Sequence, residues 1–324
     1  MDLKEFLDQW NAPGERLLVH TSGSTGEPKP LWVEKRRMEA SARTTCKFLG
    51  LKADDTALLC LPLDFIAGKM MVVRVLTCNM RLVNVKPNGH PMESVAEQID
   101  FAAMIPMQVS NSLQVAQERE RLMRIGHLII GGGAIDDALA RELRDFPNAV
   151  WSTYGMTETL SHIALRRLNG PEASKWYTPF ESVSVSVNDE GCLVINAPQV
   201  SAETLTTNDI AEIQGRRFRI LGRRDNVICS GGIKIQIEEV ERLLSQDVAS
   251  PFCITKLKDS KYGEAVVLLT ESADLKGMEA LCRNALPKYW RPKHILRVCH
   301  IPMTATGKVA RREAERLAAL AVEV

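Results

Sequence analysis

Short apolar runs alternate with helically spaced apolar positions over the first half of the chain. Residues 2–10 read as a short helix, and the run Leu17-Leu18-Val19 as a buried strand over 17–20. Met38, Ala42, Cys46 and Leu49 recur at helical spacing and stop at Gly50, a helix-ending residue. Ala57 to Leu61 is an apolar run closed by Pro62, so a buried strand. A helix over 68–80, a strand from Leu82 to Val85 and a helix over 92–100 follow. Ala102 to Ile105 and His127 to Ile130 are further short strands with a helix between them. Residues 136–145 form an amphipathic helix, and Ala149 to Trp151 another strand. Strands alternating with helices predict a mostly parallel sheet with helices packed on its faces, an α/β class.

The pattern then changes. Residues 182–187 alternate serine and valine with period two, Asn188 to Gly191 is a turn, and 192–195 runs on as a second strand. Residues 210–213 and 217–221 flank Gln214-Gly215 as another hairpin. This predicts a small antiparallel β subdomain over about 180–222, as a barrel or distorted sheet. Helices over 236–245, 274–286 and 308–320 and strands over 252–257 and 265–270 predict a compact α+β unit beyond it. The expected organisation is therefore a large N-terminal domain over 1–222, a hinge at 223–225 and a small mobile C-terminal domain over 226–324.

Composition adds bounds. A chain of 324 residues exceeds a single ordinary core. Its net charge of +1 gives no reason to expect nucleic acid or a membrane surface as partner. The eight cysteines have neither zinc-site nor CxxC spacing, and read as reduced, mostly buried thiols in the cytoplasm. The first residues hold no apolar signal core, and no run approaches a membrane-spanning length.

Candidate chemistry clusters at strand ends. Thr21-Ser22-Gly23-Ser24-Thr25-Gly26-Glu27-Pro28-Lys29 follows the first strand. Its glycines free backbone N–H groups to turn toward an anion, its hydroxyls add donors, and Lys29 adds a charge. It is not a Walker A loop, because Lys29 follows proline rather than glycine. Trp151 to Thr159 leaves a strand at the carboxyl edge of the sheet, where open α/β sheets bind ligands. There Glu158 offers an oxygen ligand for Mg²⁺ and Tyr154 a ring. Gly131-Gly132-Gly133 leaves the strand before it, Asp209 precedes a hairpin, Gly222-Arg223-Arg224-Asp225 ends it, and Gly231-Gly232 and Lys308 lie beyond.

The order Thr-Ser-Gly-Ser-Thr-Gly-x-Pro-Lys resembles the phosphate loop of the adenylate-forming enzymes, the acyl- and aryl-CoA ligases and their relatives. Tyr154-Gly155-Met156-Thr157-Glu158, Thr207-x-Asp209, Gly222-Arg223-x-Asp225, Gly231-Gly232 and Pro302-x-Thr304-x-x-Gly307-Lys308 match further motifs of that family in order. The resemblance implies an enzyme that activates a carboxylate with ATP and Mg²⁺ and passes the acyl group to CoA. It implies phosphate contacts from Thr21, Ser22, Gly23, Ser24, Thr25, Gly26 and Lys29. Gly132, Gly133, Tyr154 and Gly155 would flank adenine, Thr157 would meet the α-phosphate, and Glu158 would hold magnesium. Asp209 and Arg223 would bind ribose, Asp225 would be the hinge, and Gly231 and Gly232 would approach the thiol. Lys308 would stabilise charge on the α-phosphoryl group, with Thr157 and Glu158 as further catalytic residues.

The acid is addressed by a second set. Leu61 to Gly68 resembles a segment in which the family carries histidine where this chain has Phe65. Arg74 follows in the otherwise apolar stretch Met70 to Leu76. An arginine at this spacing resembles the o-succinylbenzoate–CoA ligases of menaquinone synthesis, where it pairs with the substrate's second carboxylate. A buried guanidinium would read such a group bidentately. Ser161 and His162 resemble the same pocket's polar lining, whereas the family's serine is replaced by Ala67. Only 20 residues precede the phosphate loop, so the resemblance implies a shortened form, with a homodimer left open. The expectation is an o-succinylbenzoate–CoA ligase. A ligase for another aryl or short acyl acid, or a non-catalytic nucleotide-binding protein, is the alternative.

Overall fold

The computed structural model describes residues 1–20, 30–304 and 307–322. The expected phosphate-loop residues Thr21, Ser22, Gly23, Ser24, Thr25, Gly26 and Lys29 lie outside the described residues.

A seven-stranded sheet organises the first half, in the order Arg81–Asn84, Thr56–Leu59, Phe101–Met104, His127–Ile130, Ala149–Gly155, His162–Arg167 and Thr178–Pro179. The first five strands are parallel, and the last two pair antiparallel. Thr56–Leu59 and Phe101–Met104 are buried at every position, as strands covered on both faces must be. Alternate residues feed two cores. Ala57, Leu59, Phe101, Ala103 and Ile129 pack on one face with the helices Lys35–Leu49 and Ile66–Cys78. Leu58, Ala102, Met104, Leu128 and Ile130 pack on the other with Pro106–Gln114, Ala116–Met123 and Asp137–Leu143.

Helix Ile66–Cys78 matters most for the site. Its residues Gly68 to Val75 are buried without interruption, because the sheet lies on one side and helix Lys35–Leu49 on another. Any charged group carried there is taken out of water.

The second half is antiparallel. Ser184–Val187, Cys192–Asn196, Leu205–Gln214 and Arg217–Arg223 form an open four-stranded sheet. A further sheet pairs Ile233–Gln236, Val227–Ser230, Gly263–Thr270 and Phe252–Asp259, with His294–Arg297 parallel to Gly263–Thr270. Helices Ile237–Leu244, Leu275–Ala285 and Arg311–Val322 pack on it.

Four expectations need correction. Residues 17–20 do not form a fully buried strand. Arg16–His20 pairs antiparallel with Pro30–Glu34, and only Leu17 and Val19 point inward. The helix over 92–100 is absent: Met92, Val95 and Ile99 are buried at helix-like spacing, but the segment runs as turns. Its carbonyls are met from outside the segment, Arg121 donating to Met92 and Glu93, and the Gly126 amide to Ile99. The connection from 105 to 127 holds two helices, broken at Val115. Finally, Cys46 and Cys78 form a disulfide between helices Lys35–Leu49 and Ile66–Cys78, so they are not reduced thiols. The other six cysteines are free, with Cys60, Cys192, Cys253 and Cys282 buried and Cys229 and Cys299 exposed.

Candidate active site

The motif residues gather in two groups, one on each side of the turn that leaves strand Ala149–Gly155, through Tyr154 and through Ser161. The first centres on Asp209. The Tyr154 hydroxyl donates to Asp209 Oδ2 at 2.5 Å, and Arg223 Nη1 donates to Oδ1 at 3.2 Å. A carboxylate offers about four lone-pair sites, so two more donors can still be accepted. Arg223 also grips Asp225 with two parallel bonds, at 2.9 and 2.8 Å. Burial works to raise the Asp225 pKa, but the Arg223 guanidinium outweighs it and holds the carboxyl below its usual range. Gln236 donates to the Arg223 carbonyl at 2.8 Å and fills the space above Gly222, where a side chain would collide with it.

Tyr154 is fixed by rings as well. Its ring meets Phe218 edge-on at 5.1 Å and tilts against Tyr177 at 5.8 Å. Tyr177 is anchored in turn by its hydroxyl, 2.8 Å from Ser152 Oγ. Burial first, and then the negative Asp209, push the Tyr154 phenol far up, so it stays a neutral donor. Tyr177, Phe218 and Gln236 carried no motif signal in the sequence. Phe218 was visible only as an apolar residue in a polar hairpin.

Lys308 belongs to the same group. Its main chain is pinned to Thr304, the Thr304 amide donating to the Lys308 carbonyl at 2.7 Å and the Lys308 amide to the Thr304 hydroxyl at 3.1 Å. Gly307 has a φ of 75° and faces the Ile105 side chain, which also lies over Gly132, φ 79°. The Lys308 loop therefore sits over the edge formed by the Gly131–Gly133 turn. Burial, then the neighbouring Arg223, lower the Lys308 pKa, and Asp209 opposes them.

The second group lies around Arg74, which is 2% exposed. Nη2 donates to Ser161 Oγ at 2.5 Å; among the described residues Nη1 has only the Met71 sulfur at 3.8 Å, and Nε has no partner. Burial lowers its pKa to about 10. Ser161 is delivered by an unusual backbone. Thr157–Thr159 is one tight helical turn, and Leu160 then takes φ 63° although it carries a branched side chain. Such a residue costs about 1–3 kcal/mol and marks a constrained site. Gly155 permits the reversal, since a Cβ there would stand 2.2 Å from the Ser161 carbonyl. Its place in the structure is thus one of close chain packing. Thr157 is buried and Glu158 exposed on the same turn.

Phe65 and the Gly231-Gly232 pair stand apart. Phe65 caps the start of helix Ile66–Cys78. It lies nine residues before Arg74, roughly 13 Å along the axis. Gly231 and Gly232, φ 58° and 82°, are the exposed tip of the hairpin joining Val227–Ser230 to Ile233–Gln236, beside Tyr262. Among the described residues no cluster of three metal-ligating side chains occurs, and no helix is long and apolar enough to cross a membrane.

A family model described as AMP-binding enzyme matches residues 9–200. A 2-succinylbenzoate–CoA ligase from Enterococcus faecalis is 27% identical over 95% of this chain and 70% of its own length. A solved acyl-CoA synthetase (AMP-forming)/AMP-acid ligase II-like protein from Dyadobacter fermentans is 35% identical over 95% of this chain and 91% of that one, with a TM-score of 0.65. The o-succinylbenzoate CoA synthetase from Bacillus subtilis, solved with its acyl-adenylate intermediate, shares the fold at 22% identity and a TM-score of 0.77, covering 92% of this chain and 68% of its own. The sheet, its carboxyl-edge motifs and the match over residues 9–200 define a nucleotide-binding α/β enzyme. The chain belongs to the AMP-binding enzyme family, as an ATP-dependent, AMP-forming CoA ligase.

Proposed function

We propose that this ligase adenylates o-succinylbenzoate and passes the acyl group to CoA, a step of menaquinone biosynthesis in the cytoplasm. The observation that carries the reading is Arg74: a buried guanidinium that has, among the described residues, a hydroxyl and a thioether as its partners and no carboxylate. An uncompensated buried cation is costly, and a bound anion relieves it. A substrate with a second carboxylate supplies that anion. The 27% identical Enterococcus relative, named for this substrate, supports the same reading.

The first carboxylate attacks the α-phosphorus of ATP and pyrophosphate leaves. Asp209, held by Tyr154 and Arg223, has acceptor capacity left for two ribose hydroxyls. Lys308 sets a positive charge where the phosphoryl group gains negative charge. Glu158 fits a Mg²⁺ site of the kind completed by substrate phosphates, being a single exposed carboxylate at the end of a sheet strand. The metal would neutralise phosphate charge there. In the second half-reaction the unit over 226–324 turns about Asp225, Lys308 withdraws, and the Gly231-Gly232 tip approaches as the CoA thiol displaces AMP.

The test is mass spectrometry for a CoA thioester after mixing the protein with ATP, Mg²⁺, CoA and a panel of carboxylic acids. Thioester with o-succinylbenzoate, lost in Arg74→Ala, supports the reading. Thioester with a monocarboxylic acid only, undiminished in Arg74→Ala, overturns the substrate assignment.

A further inference from the structure

Behind Arg74 runs a line of hydrogen bonds that the reaction itself does not use. Ser161 Oγ stands 3.2 Å from His162 Nδ1, His162 Nε2 stands 3.1 Å from Thr45 Oγ1, and the Thr45 hydroxyl donates to the Ser41 carbonyl at 3.1 Å. His162 is 6% exposed and Thr45 fully buried.

The line has a fixed direction. A guanidinium only donates, so Ser161 Oγ accepts from Arg74. The Ser161 hydrogen then goes to His162 Nδ1, which must be the unprotonated nitrogen. His162 Nε2–H donates to Thr45, whose own hydrogen is taken by Ser41. Each hydroxyl and both ring nitrogens are satisfied in this one arrangement. With Nδ1 protonated, the serine hydrogen would lose its acceptor, and Nε2 would need the Thr45 hydrogen that Ser41 takes.

The surroundings hold the ring neutral. Helix Lys35–Leu49 offers it Thr45 and Ser41, and the Phe180 ring lies 5.6 Å away. From helix Ile66–Cys78 the charged group acting on it is Arg74. Burial first, and then that cation, hold the His162 pKa well below 6.5.

We propose that Thr45 and His162 are positioning residues that set the selectivity for an acid with a second carboxylate. They lock the Ser161 hydroxyl as an acceptor toward Arg74. One Nη2 hydrogen is thereby committed, the guanidinium plane is held, and the Nε and Nη1 hydrogens stay available to an oxyanion. Without His162 Nδ1 as acceptor the Ser161 side chain is free to swing to other rotamers, away from Arg74, and the cation would lose its support. This inference rests on the reading that Arg74 receives a substrate carboxylate.

Steady-state pyrophosphate release tests it, with o-succinylbenzoate and ATP varied separately. Thr45→Val removes the hydroxyl at nearly constant shape. The KM for o-succinylbenzoate is expected to rise about tenfold, the size of one neutral hydrogen bond. The KM for ATP and kcat should change by less than twofold, and Thr45→Ser should restore the wild-type value. At the ring, His162→Gln can still accept from Ser161 and donate to Thr45, and should stay close to wild type, whereas His162→Leu should behave as Thr45→Val. This second pair decides the matter if Thr45→Val does not fold. Unchanged KM values, or KM for acid and ATP rising together, overturn the proposal. Wild-type enzyme that releases no pyrophosphate with o-succinylbenzoate overturns the substrate reading, and the inference with it, before any variant is made.

Discussion

Arg74 sits in the middle of helix Ile66–Cys78 with buried apolar residues before and after it. Among the described residues it has no anionic partner, so its burial without substrate should destabilise the fold. Arg74→Met is accordingly expected to raise Tm by about 2–6 °C while thioester formation from o-succinylbenzoate is lost. Differential scanning calorimetry beside the thioester assay reads both; a fall in Tm would show that the arginine is structural. Lys308 gives a prediction in pH. In the proposed reaction its charged form stabilises the phosphoryl group, and its pKa is lowered from 10.5 by burial and then by Arg223. Activity should therefore fall as pH rises through that lowered value, and kcat/KM for ATP should fall earlier than kcat, since bound phosphates raise the pKa again. A profile flat up to pH 10.5 would contradict this. Arg74 was legible in the sequence because a cation interrupts an apolar stretch. Thr45 and its partner His162 are 117 residues apart, and no local pattern links them.

Elements were legible where periodicity and chain punctuation agreed. The helix ending at Gly50 is one, because Gly50 adopts φ 70° and its amide closes the last turn. The segment 92–100 failed because three buried anchors at helix-like spacing do not require helical amide bonds, and donors outside the segment satisfied its carbonyls. Strands Val227–Ser230, Ile233–Gln236 and His294–Arg297 were missed because their neighbours, not their own sequence, decide their pairing. The turn after Ala149–Gly155 shows an element set by one residue. Gly155→Ala places a methyl group against the Ser161 carbonyl and the His162 Cα, at 2.2 and 2.5 Å. Backbone must move, and Ser161 with it. The expected result is a loss of roughly 2 kcal/mol or more in stability together with a rise in KM for the acid. Urea unfolding and steady-state kinetics read the two, and an unchanged KM for the acid would mean that Ser161 is held by other contacts.

At the scale of the whole molecule, the two half-reactions should be separable by where a substitution falls. The loop carrying Lys308 lies over the sheet edge beside Ile105, while the Gly231-Gly232 tip is exposed and packs against Tyr262. If the C-terminal unit presents these two loops in turn, each variant should harm one step. Lys308→Ala should slow ATP–pyrophosphate exchange by about 10²–10³-fold, the usual effect of removing one preorganised charge. It should leave acyl transfer from a supplied acyl-adenylate to CoA nearly intact. Gly232→Val should do the reverse. Position 232 has φ 82° and open space around the missing Cβ, so valine meets no neighbour but strains the turn by about 1–2 kcal/mol. That strain distorts the tip without touching Asp209, Arg223 or Lys308, so exchange should persist while thioester formation slows. Single-turnover measurements of both steps in both variants decide the question. Equal loss of both steps in either variant would place the two loops in one undivided site and remove the case for a turning C-terminal unit.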